Sequence, residues 1–298
     1  MNRLALNYAH FVTKILNPTS FCSYLCPMKL FDTHIHSTFS PDSRASIEQY
    51  AVAANHKGLA AIAITDHLDI DAPLRECDKE NLFLFDPIER DKEIDRVKEI
   101  YGTTILKGIE VGLQPHCLEE IKEFTQRHKL DSVIASLHFI DREDPYFGDY
   151  YIGKSAKQAY GHAYEVMYRT AVEYGDFDIL GHFDYIARYA PYPVKDITYR
   201  EYSDAIDPLL RFLAQEGKAL EINTKTYREH NGYTPTLDTD IIKRFKELGG
   251  ECISLGSDSH EDTRLAENFE KFAAIVKNCG FSRLVYFKER KPQFYNID

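Results

Sequence analysis

Two histidines spaced two residues apart follow the first predicted strand of the chain, residues 29–31. They are His34 and His36, and on a β-strand both side chains would point to the same face. Two imidazoles on one face can hold a metal ion, although two ordinary strand histidines would show the same spacing. This motif alone therefore leaves metal binding and simple packing open.

Five further groups of potential metal ligands each follow an apolar stretch rich in β-branched residues, which is typical of a buried parallel strand. In a barrel of alternating strands and helices, the carboxyl ends of the strands converge on one face, where active sites lie. We therefore expect these distant side chains to meet in space. The groups are Thr65-Asp66-His67, Gly108-Ile109-Glu110, Ser136-Leu137-His138, Gly181-His182-Phe183-Asp184 and Gly256-Ser257-Asp258-Ser259-His260, after the stretches 59–64, 103–106, 132–135, 177–180 and 252–255.

The elements that position these groups alternate regularly between strand and helix. Seven strand–helix repeats are predicted, with a short strand at 283–287 after the last helix, which indicates a parallel sheet with helices outside it. Residues 1–27 are interpreted as an N-terminal extension, disordered or packed outside the barrel, before a domain at 28–298. The predicted helices are 46–58, 87–101, 118–128, 155–174, 199–216, 237–248 and 263–279, and a further predicted strand is 219–223.

The bulk properties narrow the function. A chain of 298 residues can form one large α/β domain, and its net charge of -11 without a basic run argues against nucleic-acid binding. None of its apolar stretches is long enough to span a membrane, so no membrane partner is expected. The six cysteines show neither zinc-knuckle nor disulfide spacing, which favours reduced thiols and a cytoplasmic location.

Taken together and in this order, the motifs resemble those of the polymerase-and-histidinol-phosphatase (PHP) superfamily, most closely its monofunctional histidinol phosphatases. The resemblance runs from Met28 to the C-terminus. It implies an α/β fold, a distorted seven-stranded (β/α) barrel of TIM-like form, with a metal site at the carboxyl ends of the strands.

The resemblance also implies three divalent metal ions, Zn, Mn or Fe. With three such ions, the three carboxylates and six neutral histidines of the site would carry roughly +3, which favours a phosphate dianion. The implied ligands are His34, His36, Glu110 and Asp258 for the first ion, Glu110, His138 and His182 for the second, and Asp42, His67 and His260 for the third.

The implied reaction is hydrolysis of L-histidinol phosphate to L-histidinol and phosphate by a metal-activated hydroxide, in histidine biosynthesis. The partner would then be a small phosphorylated substrate. The alternatives are a PHP-type phosphoesterase acting on a nucleotide, an oligonucleotide or phosphotyrosine, and a metal-binding protein without activity. The sequence does not indicate an oligomeric state.

Three acidic residues are candidates for catalysis beside the ligands. Asp66 and Asp184 could orient a histidine or protonate the leaving group, and either could instead be a helix N-cap or turn residue. Asp258 could be a metal ligand or the acid that protonates the leaving group.

Four residues are predicted to contact the substrate. Arg188 closely follows the group Gly181-His182-Phe183-Asp184. It could clamp the phosphate with its planar guanidinium, or simply lie at the solvated surface. Asn223, Thr224 and Arg228 end or follow the strand 219–223, so they should face the same mouth of the barrel. His230, in the loop after that strand, is the remaining histidine of interest.

Overall fold

The computed structural model describes residues 29–73 and 83–297. The extension predicted at residues 1–27 lies outside the described part of the chain. In the described part, a parallel sheet runs in the order β1-β2-β4-β5-β6-β7-β8, and the short strand β3 pairs with β4. These strands are β1 (Phe31–Ile35), β2 (Ala61–Ile64), β3 (His67–Leu68), β4 (Ile105–Gly112), β5 (Ser132–Ser136), β6 (Ile179–Leu180), β7 (Ala219–Asn223) and β8 (Ile253–Gly256).

Helices cover the outside of this sheet, and their ends follow local sequence signals. Ser46 caps α1 and accepts a hydrogen bond from the backbone N–H of Gln49, and Gly58 ends the helix in a left-handed conformation. Ser155 and Gly175 do the same for α4. The helices are α1 (Ile47–Lys57), α2 (Pro87–Tyr101), α3 (Leu118–Arg127), α4 (Ala156–Tyr174), α5 (Tyr185–Tyr189), α6 (Tyr199–Gln215), α7 (Thr239–Glu247) and α8 (Phe269–Asn278).

The barrel closes between β8 and β1 without a regular ladder. The backbone N–H of Asp258 donates to the carbonyl of His34 at 2.8 Å, and that of His36 donates to the carbonyl of Ser259 at 2.9 Å. An isolated bridge joins Ile35 and Ser259. The predicted α/β fold, a distorted seven-stranded barrel, is confirmed.

A separate antiparallel hairpin packs against the barrel. It consists of β9 (Arg283–Lys288) and β10 (Lys291–Asn296), and Val285 and Phe287 pack with buried residues from the amino-terminal halves of the barrel strands. Arg290 in its turn reaches Asp178 at 2.5 Å. The strand predicted at 283–287 therefore exists, but it belongs to this hairpin and not to the barrel.

Two other elements differ from the sequence prediction. The last helix begins at Phe269, not near residue 263, because residues 262–268 form a 3-10 turn and then two left-handed positions, Ala266 and Asn268. A short helix, α5, lies between β6 and α6, where no helix was predicted. None of the helices in the described ranges has the length and hydropathy that a membrane span needs.

Candidate metal centre

A cavity of about 430 Å³ opens at the carboxyl ends of the barrel strands. Seven of the nine predicted metal ligands line it, while His34 and His36 lie deeper and are fully buried. Eight of the ligands sit at or near the carboxyl end of a strand, and Asp42 lies in the loop between β1 and α1. The parallel sheet therefore brings together groups that are far apart in sequence. The structure thus places all nine predicted ligands in one cluster.

The Glu110 carboxylate lies at the centre of this cluster. Five imidazoles surround it. Burial alone would raise the pKa of this carboxyl, but His34, His138 and His67 hold it well below its usual range. A single carboxylate at this position can contact more than one cation. The nearest imidazole nitrogens lie 2.8 Å from it for His182, 3.0 Å for His67, 3.1 Å for His138 and 3.3 Å for His34 and for His36.

The ligands fall into groups that overlap through shared histidines. His34, His36 and Asp258 form one such group, with 3.0 Å between the Nε2 atoms of the two histidines and 3.5 Å from His36 Nε2 to Asp258 Oδ1. His34 also forms a group with Glu110 and His182. The first and second predicted ligand sets are therefore neighbours in space.

The third predicted set lies at the outer side of the cluster. His260 Nε2 is 2.9 Å from the Asp42 carboxylate, and His67 Nε2 is 3.6 Å from it. The rings of His67 and His260 both approach His36, so this group lies next to the other two. Asp42 is the most exposed of the proposed ligands, with 43% of its side chain accessible.

Divalent metal ions fit this donor set. Glu110 Oε2 and His67 Nδ1 are buried and have no hydrogen-bond partner, although they lie 3.0 Å apart. Because buried polar atoms are normally satisfied, these orphaned atoms indicate a missing partner that accepts several lone pairs at once. Imidazole and carboxylate are the ligands that Zn, Mn and Fe share.

Carboxylates behind the cluster orient two of the histidines. Nδ1 of His34 donates to Oε1 of Glu221 at 2.8 Å, and Nδ1 of His138 donates to Oδ1 of Asp69 at 2.8 Å. This leaves Nε2 of each ring directed at Glu110 as a potential metal ligand. Burial lowers the pKa of His138, but Asp69 and Glu110 outweigh it and raise the pKa to about 10.

The sequence analysis missed both of these carboxylates. Glu221 is a charged residue in the middle of the correctly predicted strand β7, fully buried, and Asp69 follows His67 by two positions. An acidic side chain within a buried strand, or two residues beyond a ligand and so on the same face, is the signal that could have found them.

Three glycines leave room for the side chains that support the ligands. A Cβ added at Gly256 would overlap the Glu221 carboxylate, and one at Gly112 would overlap the Asp69 carboxylate. A Cβ at Gly181 would overlap Oγ of Ser136, which donates to Glu110 at 2.6 Å. Glycine at these strand ends therefore allows the close approach that each contact requires.

Asp66 is buried and does not line the cavity. Its carboxylate accepts hydrogen bonds from the backbone N–H of Ser37 at 2.7 Å and from the hydroxyls of Ser37 and Ser40. Ser40 Oγ in turn lies 3.3 Å from His36 Nδ1. Asp66 therefore holds the turn that carries His36.

The other two acidic candidates have different surroundings. Asp184 precedes α5, and burial raises its pKa to about 6 while Tyr227 donates a hydrogen bond to its carboxylate. Asp258 lines the cavity and has a left-handed backbone with a φ of 47°, a conformation that few non-glycine residues adopt. Of the three, Asp258 alone faces the cavity.

The predicted substrate contacts lie at the same rim but outside the cavity lining. Nη1 of Arg188 donates to the backbone carbonyls of Lys225 and Arg228 at 2.7 and 3.0 Å. Arg228 itself contacts the carbonyl of Ser257 and the carboxylate of Glu267. Both guanidiniums thus fasten the loop after β7.

The two remaining predicted contacts, Asn223 and Thr224, are buried. The amide nitrogen of Asn223 donates to the carboxylates of Glu221 and Asp258, at 3.3 Å in each case. The hydroxyl of Thr224 is buried without a hydrogen-bond partner. Asn223 therefore links the strand end to the ligand cluster.

Aromatic rings form the outer wall of the cavity. Tyr146 contacts Tyr189 edge-on at 5.1 Å between ring centroids, and Tyr189 contacts Tyr185 at 5.0 Å. Tyr185 approaches His138 at 5.8 Å, so the rings lead from the surface to the ligand cluster. His230 packs against the outer side of Tyr189, at 5.3 Å, and does not line the cavity.

Comparison with known proteins is consistent with this architecture. The model of the PHP domain family matches residues 32–225, which include seven of the nine proposed ligands, from His34 to His182, together with Lys225. The chain belongs to the PHP domain family. The family predicted from the motifs is thereby confirmed.

Within this family, relatives described as histidinol-phosphatases match nearly the whole of this chain. A probable histidinol-phosphatase of Clostridium acetobutylicum is 32% identical over 265 residues, covering 89% of this chain and 99% of the relative. The histidinol-phosphatase of Lactococcus lactis is 33% identical over 267 residues, covering 89% and 96%. A crystal structure of histidinol phosphate phosphatase from Lactococcus lactis, complexed with zinc, L-histidinol and phosphate, matches with a TM-score of 0.80, 31% identity and coverage of 89% and 99%.

Proposed function

We propose that this protein is a metal-dependent phosphomonoesterase that hydrolyses L-histidinol phosphate to L-histidinol and phosphate, a step of histidine biosynthesis. The observation that carries the proposal is the convergence of six histidines and three carboxylates in one cluster, at and beneath one cavity. The similarity to histidinol-phosphatases over almost the whole chain supports the choice of substrate.

The proposed cofactors are three divalent ions, Zn, Mn or Fe. As the family resemblance implies, His34, His36, Glu110 and Asp258 would hold the first ion. Glu110, His138 and His182 would hold the second, and Asp42, His67 and His260 the third. Such ions lower the pKa of water and neutralise phosphoryl oxygens. The zinc in the Lactococcus lactis structure supports the choice of metal type.

The residues of this chain prepare the site. Glu221 and Asp69 keep the protons of His34 and His138 on Nδ1, so that Nε2 of both rings is available to a metal. Asp66 holds the turn of His36 in place. Among the acids predicted for catalysis, Asp258 faces the cavity, and we propose that Asp66 and Asp184 act by orienting neighbouring groups.

The shape of the cavity suits a small organic monoester. A volume of about 430 Å³ lies within the usual range of pockets for small molecules. The aromatic wall of Tyr146, Tyr185 and Tyr189 offers flat apolar faces to an imidazole ring. The Asp144 side chain, which also lines the cavity, offers negative charge to a primary amine.

The predicted substrate roles of Arg188, Asn223, Thr224 and Arg228 remain proposals. Arg188 and Arg228 stand at the rim with much of their hydrogen bonding directed to the loop after β7. A cytoplasmic location likewise stays a prediction.

The test is phosphate release by protein reconstituted with Zn, Mn or Fe. L-Histidinol phosphate is compared with a nucleoside monophosphate, phosphotyrosine and an aryl phosphate. We expect a strong preference for L-histidinol phosphate that is lost in His138→Ala and retained in His56→Ala, an exposed histidine on α1. Even, weak activity across the panel would reject histidinol phosphate as the substrate, and a preference for another ester would replace it.

A further inference from the structure

Lys225 places a positive charge inside the cavity. It lies two residues beyond the end of β7, and its Nζ is 3.0 Å from Oδ1 of Asp258 and 3.3 Å from Nδ1 of His260. Among the described residues that line the cavity, it is the one lysine or arginine. No sequence motif had drawn attention to it.

The surrounding structure holds the base of this side chain in place. The backbone N–H of Lys225 donates to Oδ1 of Asn223 at 3.1 Å, and its carbonyl accepts from Nη1 of Arg188 at 2.7 Å. The main chain is therefore fastened on both sides of the residue. Only the side chain is left to move within the cavity, and 27% of it is accessible.

The charge and geometry of the cavity favour a contact between Lys225 and an anionic substrate. Five carboxylates line the cavity, and each would repel a phosphate dianion. The three proposed divalent ions would offset this charge, and an ammonium on a flexible stem can add up to three hydrogen-bond donors directed at phosphoryl oxygens. The five carboxylates belong to Asp42, Asp69, Glu110, Asp144 and Asp258.

We infer that Lys225 is a phosphate-binding residue, donating to the phosphoryl oxygens of the substrate and of the inorganic phosphate product. This inference rests on the proposed function, because it concerns the same cavity. It gives Arg188 a positioning role, in which its guanidinium fastens the loop that presents Lys225. The alternative is that Lys225 has a purely structural role and only balances the charge of Asp258.

The experiment uses metal-reconstituted protein and inorganic phosphate as the probe, with binding followed by titration calorimetry and metal content by elemental analysis. In Lys225→Met we expect the Kd for phosphate to rise about 10- to 100-fold, the effect of losing a hydrogen bond to a charged group. Lys225→Arg should recover part of the affinity. Metal content should stay at the wild-type level in both.

Lys107→Met is the matched control. Lys107 has similar exposure, 21%, and makes a comparable ion pair to Asp95 at 2.8 Å, but it lies outside the cavity. It should leave phosphate affinity unchanged. If Lys225→Met misfolds by circular dichroism, Lys225→Gln takes its place.

Two results would overturn the inference. One is unchanged phosphate affinity in the folded Lys225 variant, and the other is loss of metal as large as the loss of phosphate affinity, which would mark Lys225 as a support of Asp258. Since phosphate binding is measured without turnover, a failure of L-histidinol phosphate as a substrate would appear separately, in the activity panel.

Discussion

Glu221 accepts a hydrogen bond from Nδ1 of His34 across 2.8 Å, in a part of the barrel where both side chains are fully buried. The same carboxylate accepts from the backbone N–H of His182 at 2.7 Å. One side chain on β7 therefore positions two proposed ligands that come from β1 and from the end of β6. It also determines which nitrogen of His34 is free to bind a metal ion.

The first prediction concerns this carboxylate. Glu221→Gln keeps the size of the side chain but removes the charge that favours a proton on Nδ1 of His34. We expect metal affinity to fall about 10- to 100-fold, the usual effect of changing a group that orients a metal ligand. Competition with a chelator of known affinity measures it, and Glu216→Gln, an exposed residue just after α6, is the control. Equal affinities would show that Glu221 does not orient His34 for metal binding.

The second prediction tests the space at Gly256. Gly256→Ala places a methyl group where the Glu221 carboxylate lies, so that either this side chain or β8 must shift. We expect about 1–3 kcal/mol lower stability from overpacking, with a reduced metal content in the folded fraction. Urea denaturation and elemental analysis provide the measurements.

Gly161→Ala is the control for the glycine variant. Gly161 lies within α4 with open space around its Cα, so alanine should be neutral or stabilise the helix by about 1 kcal/mol. Normal metal content and stability in Gly256→Ala would mean that the strand end tolerates a Cβ and that Glu221 can move freely.

The third prediction is that chelation destabilises the fold as well as stopping catalysis. The cluster holds buried carboxylate and imidazole atoms without hydrogen-bond partners, which bound metal would satisfy. A ligand that binds the native state alone stabilises it by mass action, so chelation should lower the Tm by about 5–15 °C. Differential scanning calorimetry before and after treatment, then with Zn, Mn or Fe restored, measures this. A Tm insensitive to metal would contradict an ordered metal centre.

The sequence predicts the barrel and the ligand cluster because both depend on local patterns. Buried parallel strands appear in the sequence as short apolar runs. A ligand at the end of such a strand can be assigned to the common face of the barrel even when the order of the strands is unknown. The helix at 87–101 has the predicted bounds because Asp86 and Pro87 begin it and Gly102 ends it. Patterns of a few residues each were therefore enough to predict the fold and the family.

The contacts between elements could not be obtained in the same way. Asp69 lies 69 positions from His138, and Glu221 lies 187 positions from His34, so their pairing depends on strand register that one sequence does not contain. For the same reason Arg188 was predicted to clamp phosphate, whereas the structure ties it to backbone carbonyls whose positions depend on the loop after β7. Its substrate role stays a prediction.

The fourth prediction separates the hairpin from the active site. Arg290 joins β9 and β10 to the barrel through Asp178, at 2.5 Å, and Asp176, at 3.0 Å. Because Asp178 is largely buried, Arg290→Ala leaves its charge poorly compensated and should cost about 1–3 kcal/mol of stability. Activity per folded molecule should be unchanged, since the hairpin lies away from the cavity. Arg211→Ala, at an exposed position, is the control for urea denaturation.

The fifth prediction tests the aromatic wall as the source of substrate preference. Tyr146 is exposed to 57% and stands at the cavity, so removing its ring deprives an imidazole of a flat partner without disturbing the core. For Tyr146→Ala we expect kcat/KM for L-histidinol phosphate to fall about 5- to 30-fold, while the value for a small alkyl phosphate changes little. Tyr168→Ala removes an exposed ring on α4, outside the cavity, and should affect neither substrate. An equal loss for both esters would assign Tyr146 to the general architecture of the site, since only a contact with the organic part of the substrate can distinguish them.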